Sequence, residues 1–202
     1  MRLAPMIYPA VWANGAWADG KNGNNPYAKV MDGGYKDDEN TLVGGRAALN
    51  ITPLEGLKIQ GVIAPNYTFQ KKKTFQKAIT HMSPDDPTVV VGYIENYGTT
   101  KLEEERNDSY NITIQGIVNY MTKFGKHDLN VMAGYETYYS KAENLKASRD
   151  QYELDDFPYL DAGPLEFRDN GGSATELAYQ SWFGRVAYSY ADKYLLQANI
   201  RY

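Results

Sequence analysis

A chain of 202 residues with formal net charge -4, no cysteine, 18 Tyr and 18 Gly, a pI near 5.3 and a mean hydropathy of -0.57 has room for one domain or a piece of a larger one. Its acidic balance excludes the basic face that nucleic-acid phosphates require, and its lack of thiols excludes disulfide scaffolds, thiol catalysis and Cys-ligated metal sites. A run of about 18 apolar residues is absent, which excludes a transmembrane helix.

The opening Met1-Arg2-Leu3-Ala4-Pro5-Met6 lacks the apolar stretch of a signal peptide and soon meets Pro5 and Pro9, so it is expected to carry no targeting address of its own. A polar, non-alternating stretch follows from Ala13 to Asn40. Within it, Asp19-Gly20-Lys21-Asn22-Gly23-Asn24 has the look of a calcium loop, but Lys21 stands where an oxygen ligand is needed. A turn-rich loop is the expectation there.

From Val43 the chain alternates. Val43, Gly45, Ala47, Leu49 and Ile51 share one face, and after the turn Pro53-Leu54-Glu55-Gly56 a second series, Leu57, Ile59, Gly61, Ile63, Pro65, Tyr67 and Phe69, opposes Lys58, Gln60, Val62, Ala64, Asn66, Thr68 and Gln70. Period-two alternation on both sides of a tight turn is a β-hairpin. The unit recurs on either side of Thr122-Lys123-Phe124-Gly125-Lys126, and again around Ala191-Asp192-Lys193. Strands are predicted over residues of about 42-52, 57-70, 109-121, 127-140, 176-190 and 194-202. The connections between hairpins, roughly Lys71 to Asn107 and Lys141 to Thr175, are long and polar. In an up-and-down sheet, strictly alternating short and long connections put all the short turns at one end of the strands and all the long loops at the other.

Ordinary strands average about 5 to 6 residues; these alternate for about 10 to 14, enough for a tilted strand to cross hydrocarbon. Aromatic residues gather at both ends: Tyr120, Phe124, Tyr188, Tyr190 and Tyr194 by the short turns, Tyr67, Phe69, Tyr110, Tyr139 and Tyr202 toward the other end. Tyr110 to Tyr120 is roughly 33 Å along a strand, or about 25 Å of height when tilted, the apolar band of an outer-membrane barrel. Strands in lipid must pair every backbone polar group, so they must close into a barrel. The six predicted here are too few, and the alternation still running at Tyr202 points to an internal segment of a larger barrel. The fold class expected is therefore all-β: antiparallel up-and-down strands forming part of a large transmembrane β-barrel, with short periplasmic turns and long extracellular loops. The alternative is a soluble or surface-attached β-sandwich that binds carbohydrate, because a soluble antiparallel sheet also alternates.

Catalysis has little support. His81 and His127 have no Ser or Asp partner at a suggestive spacing, and Glu103-Glu104-Glu105 and Asp155-Asp156 are adjacent in sequence without the fixed separation that glycoside hydrolysis needs. No enzyme activity, cofactor or metal is expected. The Asn-X-Ser/Thr triplets at Asn50, Asn66, Asn107 and Asn111 reflect Asn and Thr sharing a polar face at period two.

The stretch Ser181-Trp182-Phe183-Gly184-Arg185-Val186-Ala187-Tyr188-Ser189-Tyr190-Ala191-Asp192-Lys193-Tyr194-Leu195-Leu196-Gln197-Ala198-Asn199-Ile200-Arg201-Tyr202 resembles the mid-barrel hairpin of the SusC/RagA family of TonB-dependent outer-membrane transporters. Asn22-Gly23-Asn24-Asn25-Pro26, Ile51-Thr52-Pro53-Leu54-Glu55-Gly56-Leu57, Ala133-Gly134-Tyr135-Glu136 and Phe157-Pro158-Tyr159-Leu160 are similar to segments of that family in the same order. The resemblance implies a 22-stranded barrel with an N-terminal plug, opened by TonB and capped outside by a SusD-like outer-membrane lipoprotein, importing glycans or oligopeptides across the outer membrane of a Gram-negative, Bacteroidota-like bacterium. The plug, the TonB box and the last strands lie outside these residues, so energy coupling is expected elsewhere.

Two groups of candidate contact residues follow. Lys71, Lys72, Lys73 and Lys77 leave the outer aromatic girdle, where ammonium groups gain from anionic lipopolysaccharide phosphates. Among the loop aromatics, Trp12, Trp17 and Tyr159 are the leading candidates for substrate contact, because aromatic faces cover sugar rings and peptide side chains at low entropic cost.

Overall fold

Long antiparallel strands dominate the computed structural model, which describes residues 8–202; the opening Met1 to Met6 stretch lies outside the described residues. A short helix, α1 (Pro26–Asp32), precedes β1 (Gly34–Gly44), β2 (Ala47–Leu54), β3 (Leu57–Gln76), a small hairpin of β4 (Thr80–Met82) and β5 (Val90–Tyr93), then β6 (Lys101–Phe124), β7 (His127–Asp150), β8 (Arg168–Tyr190) and β9 (Tyr194–Arg201). One sheet runs in the order β1-β3-β6-β7-β8-β9, with β2 also paired to β3, and β4 and β5 form a second. Packing divides the chain into two compact units: one takes the chain up to Glu39 with Gln70–Arg106 and Asn144–Gly172, the other Asn40–Phe69, Asn107–Glu143 and Ser173–Tyr202.

The second unit contains the three tight turns. Leu54 pairs with Leu57 across Glu55-Gly56, where Gly56 takes a φ of 79°, and the chain reverses again at Gly125, φ 62°. At the third turn Tyr190 pairs with Tyr194, and both Ala191 and Asp192 adopt left-handed φ values of 52° and 57°. The turns are tied sideways by backbone bonds, Met121 N–H to Gly56 O at 2.8 Å and Ala191 N–H to Lys126 O at 2.7 Å.

On the middle strands of this unit apolar side chains stand outward, while polar ones are sheltered on the other face beside Val62, which is 6% exposed. Ile63, Ile114, Val118 and Val186 are 43%, 46%, 44% and 46% exposed, whereas the polar Glu136 and Ser181 on the opposite face are 8% and 6% exposed. Tyr67 stacks on Phe69 and lies 4.5 Å, centroid to centroid, from Tyr110. Near the turns, His127 lies between Phe124 and Tyr190, at 5.2 and 4.9 Å, and shares a 2.6 Å hydrogen bond from Nδ1 with the Tyr188 hydroxyl.

The first unit has a conventional small interior. Ala28, Ile79 and Ile94 form one buried cluster, flanked by Trp17 and Tyr97; Phe75, Leu102 and Tyr152 form another, with Leu160 packed against it. Pro26 starts α1, since a missing N–H costs nothing in a first turn. Asn25 caps it, accepting from Ala28 N–H at 3.1 Å and donating to the carbonyls of Ala10 and Ala18 at 2.6 and 2.8 Å.

The strands extend beyond the spans expected from alternation. Residues 34–41, 71–76, 101–108, 141–150 and 168–175 are strand, although charged and polar residues predominate there and no apolar alternation runs through them. Cross-strand charge pairing adds to the burial of Phe75 and Leu102 as a local source of pairing preference. Lys72 meets Glu105 and Lys73 meets Glu104, each at 3.5 Å, while Lys146 meets Glu103 at 2.9 Å and Lys101 meets Asp150 at 3.7 Å. The stretches from Ala13 to Asn40 and from Lys71 to Asn107, expected to be irregular, also hold α1 and the β4-β5 hairpin.

Candidate functional site

The sheltered polar face of the second unit forms the first candidate surface. Alternation on β6, β7, β8 and β9 places Gln115, Glu136, Ser181 and Arg201 on one side of the sheet. Glu136 accepts from Gln115 and from the Arg201 guanidinium, which also donates to the Ser181 hydroxyl at 2.8 Å. On the same face Asn66 donates to Asn111 at 3.1 Å, and Gln60 to Asn50 at 2.8 Å. Asn119 Oδ1, Asn130 Oδ1 and Arg185 Nε are buried without a protein partner, a condition that calls for water or a ligand. Toward the turns this face opens a hollow of about 630 Å³ bordered by Glu55, Met121, Lys123, Asp128, Asn130 and Gln197. A face lined in this way can hold water and polar solutes.

The second candidate surface is the connection between β7 and β8, within the first unit. Its base is pinned: Gln151 N–H donates to Thr100 O at 2.8 Å, Thr100 Oγ1 donates to Tyr152 O at 3.0 Å, and Arg149 Nη1 donates to Gly163 O at 2.7 Å. Tyr152 is sunk against Phe75, its ring edge-on at 5.8 Å. Burial pushes the Tyr152 phenol above its ordinary pKa; its hydroxyl finds no partner.

The three aromatics predicted to face substrate part company. The Trp12 indole N–H donates to Met82 O at 2.9 Å, and Trp17 packs edge-on to Tyr27 at 5.9 Å beside the Ala28 cluster, so both hold the loops together. Tyr159 is exposed, with Lys73 over its ring at 4.3 Å and Phe157 at 4.7 Å.

The four lysines do not form an unopposed cationic patch. Lys71 lies 3.9 Å from Glu39, Lys72 and Lys73 pair across the ladder with Glu105 and Glu104, and Lys77 lies 3.9 Å from Asp155. Residue counting saw the cations and not the acids brought opposite them, which come from other strands and loops. The same charge pairing raises the Lys146 pKa through its hydrogen bond to Glu103. Elsewhere, the Thr88 backbone N–H and hydroxyl hold the Asp86 carboxyl below its usual range. Glu136 and Arg201, 65 residues apart, had no signal in the sequence beyond lying on polar faces. Tyr152 had none, because an aromatic in a polar stretch reads as a loop residue whether it is buried or exposed.

No family model and no curated protein matches this chain. Solved structures do. The structure of the RagAB peptide transporter superposes with a TM-score of 0.73 at 20% identity, covering 94% of this chain and 21% of that chain. The RagAB peptide importer in its "closed-closed" state gives 0.73 at 19% identity, with 94% and 21% covered. In the "open-open" state it gives 0.73 at 20% identity, with 94% and 20% covered. The chain spans about one fifth of the length of the chains it matches. It has the fold of that stretch of them: all-β, antiparallel and up-and-down, part of a large transmembrane β-barrel.

Proposed function

We propose that the chain is a segment of a TonB-dependent importer in the outer membrane of a Gram-negative, Bacteroidota-like bacterium, supplying barrel wall and outer loops and binding its substrate noncovalently, with no chemistry of its own. The observation that carries this reading is the exposure pattern on the middle strands of the second unit, with Ile114, Val118 and Val186 outward and Glu136 and Ser181 sheltered. A soluble sheet gains stability by the opposite arrangement, whereas a strand between lipid and a wet interior needs this one. The edges at β1-β2 and at β9 also carry rows of backbone groups that must be paired by further strands in hydrocarbon.

Of the two substrate classes, oligopeptides gain support from the structures that share the fold, which are of a peptide transporter. A SusD-like lipoprotein outside and the TonB complex inside, acting through parts of the full-length protein, complete the reading. Tyr159 is the candidate substrate contact, since Trp12 and Trp17 are committed to loop packing. Among the lysines, Lys71 is the candidate for lipopolysaccharide phosphate, with a side chain 60% exposed and its acid at 3.9 Å.

Detergent partition tests the reading. The chain should require micelles to stay monodisperse and should pass into the detergent phase of a cloud-point separation. A monomer that folds and remains in buffer would return the sequence to the carbohydrate-binding sandwich.

A further inference from the structure

The connection from Gln151 to Phe167 joins two properties that loops seldom combine: a fixed base and an apolar, charged exterior. Tyr152 and Leu160 anchor it to Phe75 and Leu102. Leu154, Phe157, Tyr159 and Leu165 nevertheless stand 71%, 57%, 54% and 63% exposed. Phe157 and Tyr159 lie ring to ring at 4.7 Å; large apolar side chains exposed on a held backbone mark interaction sites, and holding the backbone in advance lowers the ordering cost of binding.

The same connection contains Glu153, Asp155, Asp156, Asp161 and Glu166 and neither Lys nor Arg. Of the neighbouring cations, Lys77 lies by Asp155, Lys73 sits over the Tyr159 ring and Arg149 donates to Gly163 O, which leaves five carboxylates against the exposed Arg168 that follows the loop. Among the described residues no cation lies within ion-pair distance of Glu153, Asp156, Asp161 or Glu166. The surface is thus apolar and anionic together. A neutral glycan presents no charge to match, and aliphatic Leu154 and Leu165 offer no flat face to a sugar ring. A peptide carrying both apolar and basic side chains matches both halves, the first for affinity and the second for steering.

We propose that the loop spanning residues 151–167 is a docking surface for peptides that combine Lys or Arg with large apolar side chains. This rests on the importer reading only in placing the loop where substrate arrives.

The test uses the full chain in detergent micelles and three probes: a fluorescent heptapeptide alternating Lys and Leu, its Glu-for-Lys counterpart, and maltoheptaose. The Lys/Leu peptide should bind roughly tenfold more tightly than the Glu/Leu peptide and weaken as salt rises, because exposed charge pairing is screened. The variants L154S/L165S and E153Q/D156N/D161N/E166Q, changed only at exposed positions, should each weaken Lys/Leu binding several-fold with the circular dichroism spectrum unaltered. Equal binding of the Glu/Leu peptide, preference for maltoheptaose, or unaltered Lys/Leu binding by both variants would overturn the proposal. Failure of the importer reading shows separately, as a chain that stays folded and monodisperse without detergent whichever probe it binds.

Discussion

Arg201 on β9 reaches past β8 to the carboxylate of Glu136 on β7, and on the way the same guanidinium nitrogen donates to Ser181 at 2.8 Å. One side chain thereby fixes the stagger of three strands on the sheltered face, with Gln115 of β6 extending the row. Removing one partner leaves Glu136, with its side chain 11% exposed, holding a charge answered only by Gln115. R201M should therefore destabilise the folded chain by about 1.5 to 3 kcal/mol, the range for hydrogen bonds to charged groups. E136Q/R201M should cost less than the sum of the single changes. Urea unfolding in micelles followed by tryptophan fluorescence measures both; strictly additive losses would show that the two groups are not coupled.

The exposed face of the second unit is predicted to tolerate no charge. V118R should impair membrane assembly by about 2 to 4 kcal/mol if the residue lies near the bilayer midplane, while T113R, on the sheltered face of the same strand, should assemble nearly as the parent does. Folding yield into lipid vesicles, read by protease protection, separates the two. Equal yields would remove the assignment of faces.

Backbone conformation at the turns gives a third comparison. Gly56 has φ 79°, and a Cβ there would run into the Met121 carbonyl, so G56A should destabilise by more than the roughly 1 kcal/mol of left-handed strain alone. Ala191 already bears a Cβ at φ 52°, and A191G should stabilise by up to about 1 kcal/mol. Opposite shifts in the urea midpoint are expected; shifts of the same sign would contradict the turn geometry.

Tyr152 supplies a pH dependence. Burial raises the pKa of its phenol, so the folded loop holds its proton at pH values where the unfolded loop has released it. The sign follows: the stabilisation is complete below the ordinary phenol pKa of about 10 and is lost as pH rises through the higher folded value. Because the hydroxyl is buried without a partner, Y152F should be neutral or slightly stabilising and should abolish the alkaline loosening, whereas Y152A should cost about 3 to 5 kcal/mol. Limited proteolysis of the 151–167 loop across alkaline pH checks this, and a Y152F loop that still loosens would assign the transition to another group.

The three hairpins were legible because their information is local: a period of two, a short turn, and Gly56 or Gly125 where the chain must reverse. Their outer extensions were not. Lys72 opposite Glu105 and Lys146 opposite Glu103 look like solvated charges until the partner strand and its register are known. The Asn25-Pro26 cap of α1 was a readable start signal, but seven helical residues in a polar stretch are too few for a helical period to emerge. The candidate surfaces were legible in part. Tyr159 and the acidic pair Asp155-Asp156 stand out in the sequence itself, while the anchoring of their loop through Tyr152 depends on Phe75 and Leu102, which are contributed by other strands.

The sideways backbone bonds at the short turns, Gly56 O to Met121 N–H and Lys126 O to Ala191 N–H, have a bearing on how such a sequence can diversify. They use main-chain atoms and so survive almost any replacement of side chains. A stiff hem of this kind keeps neighbouring hairpins in step while the long connections are rewritten, lengthened or exchanged, so the variable half of the chain can change without re-solving how its strands meet.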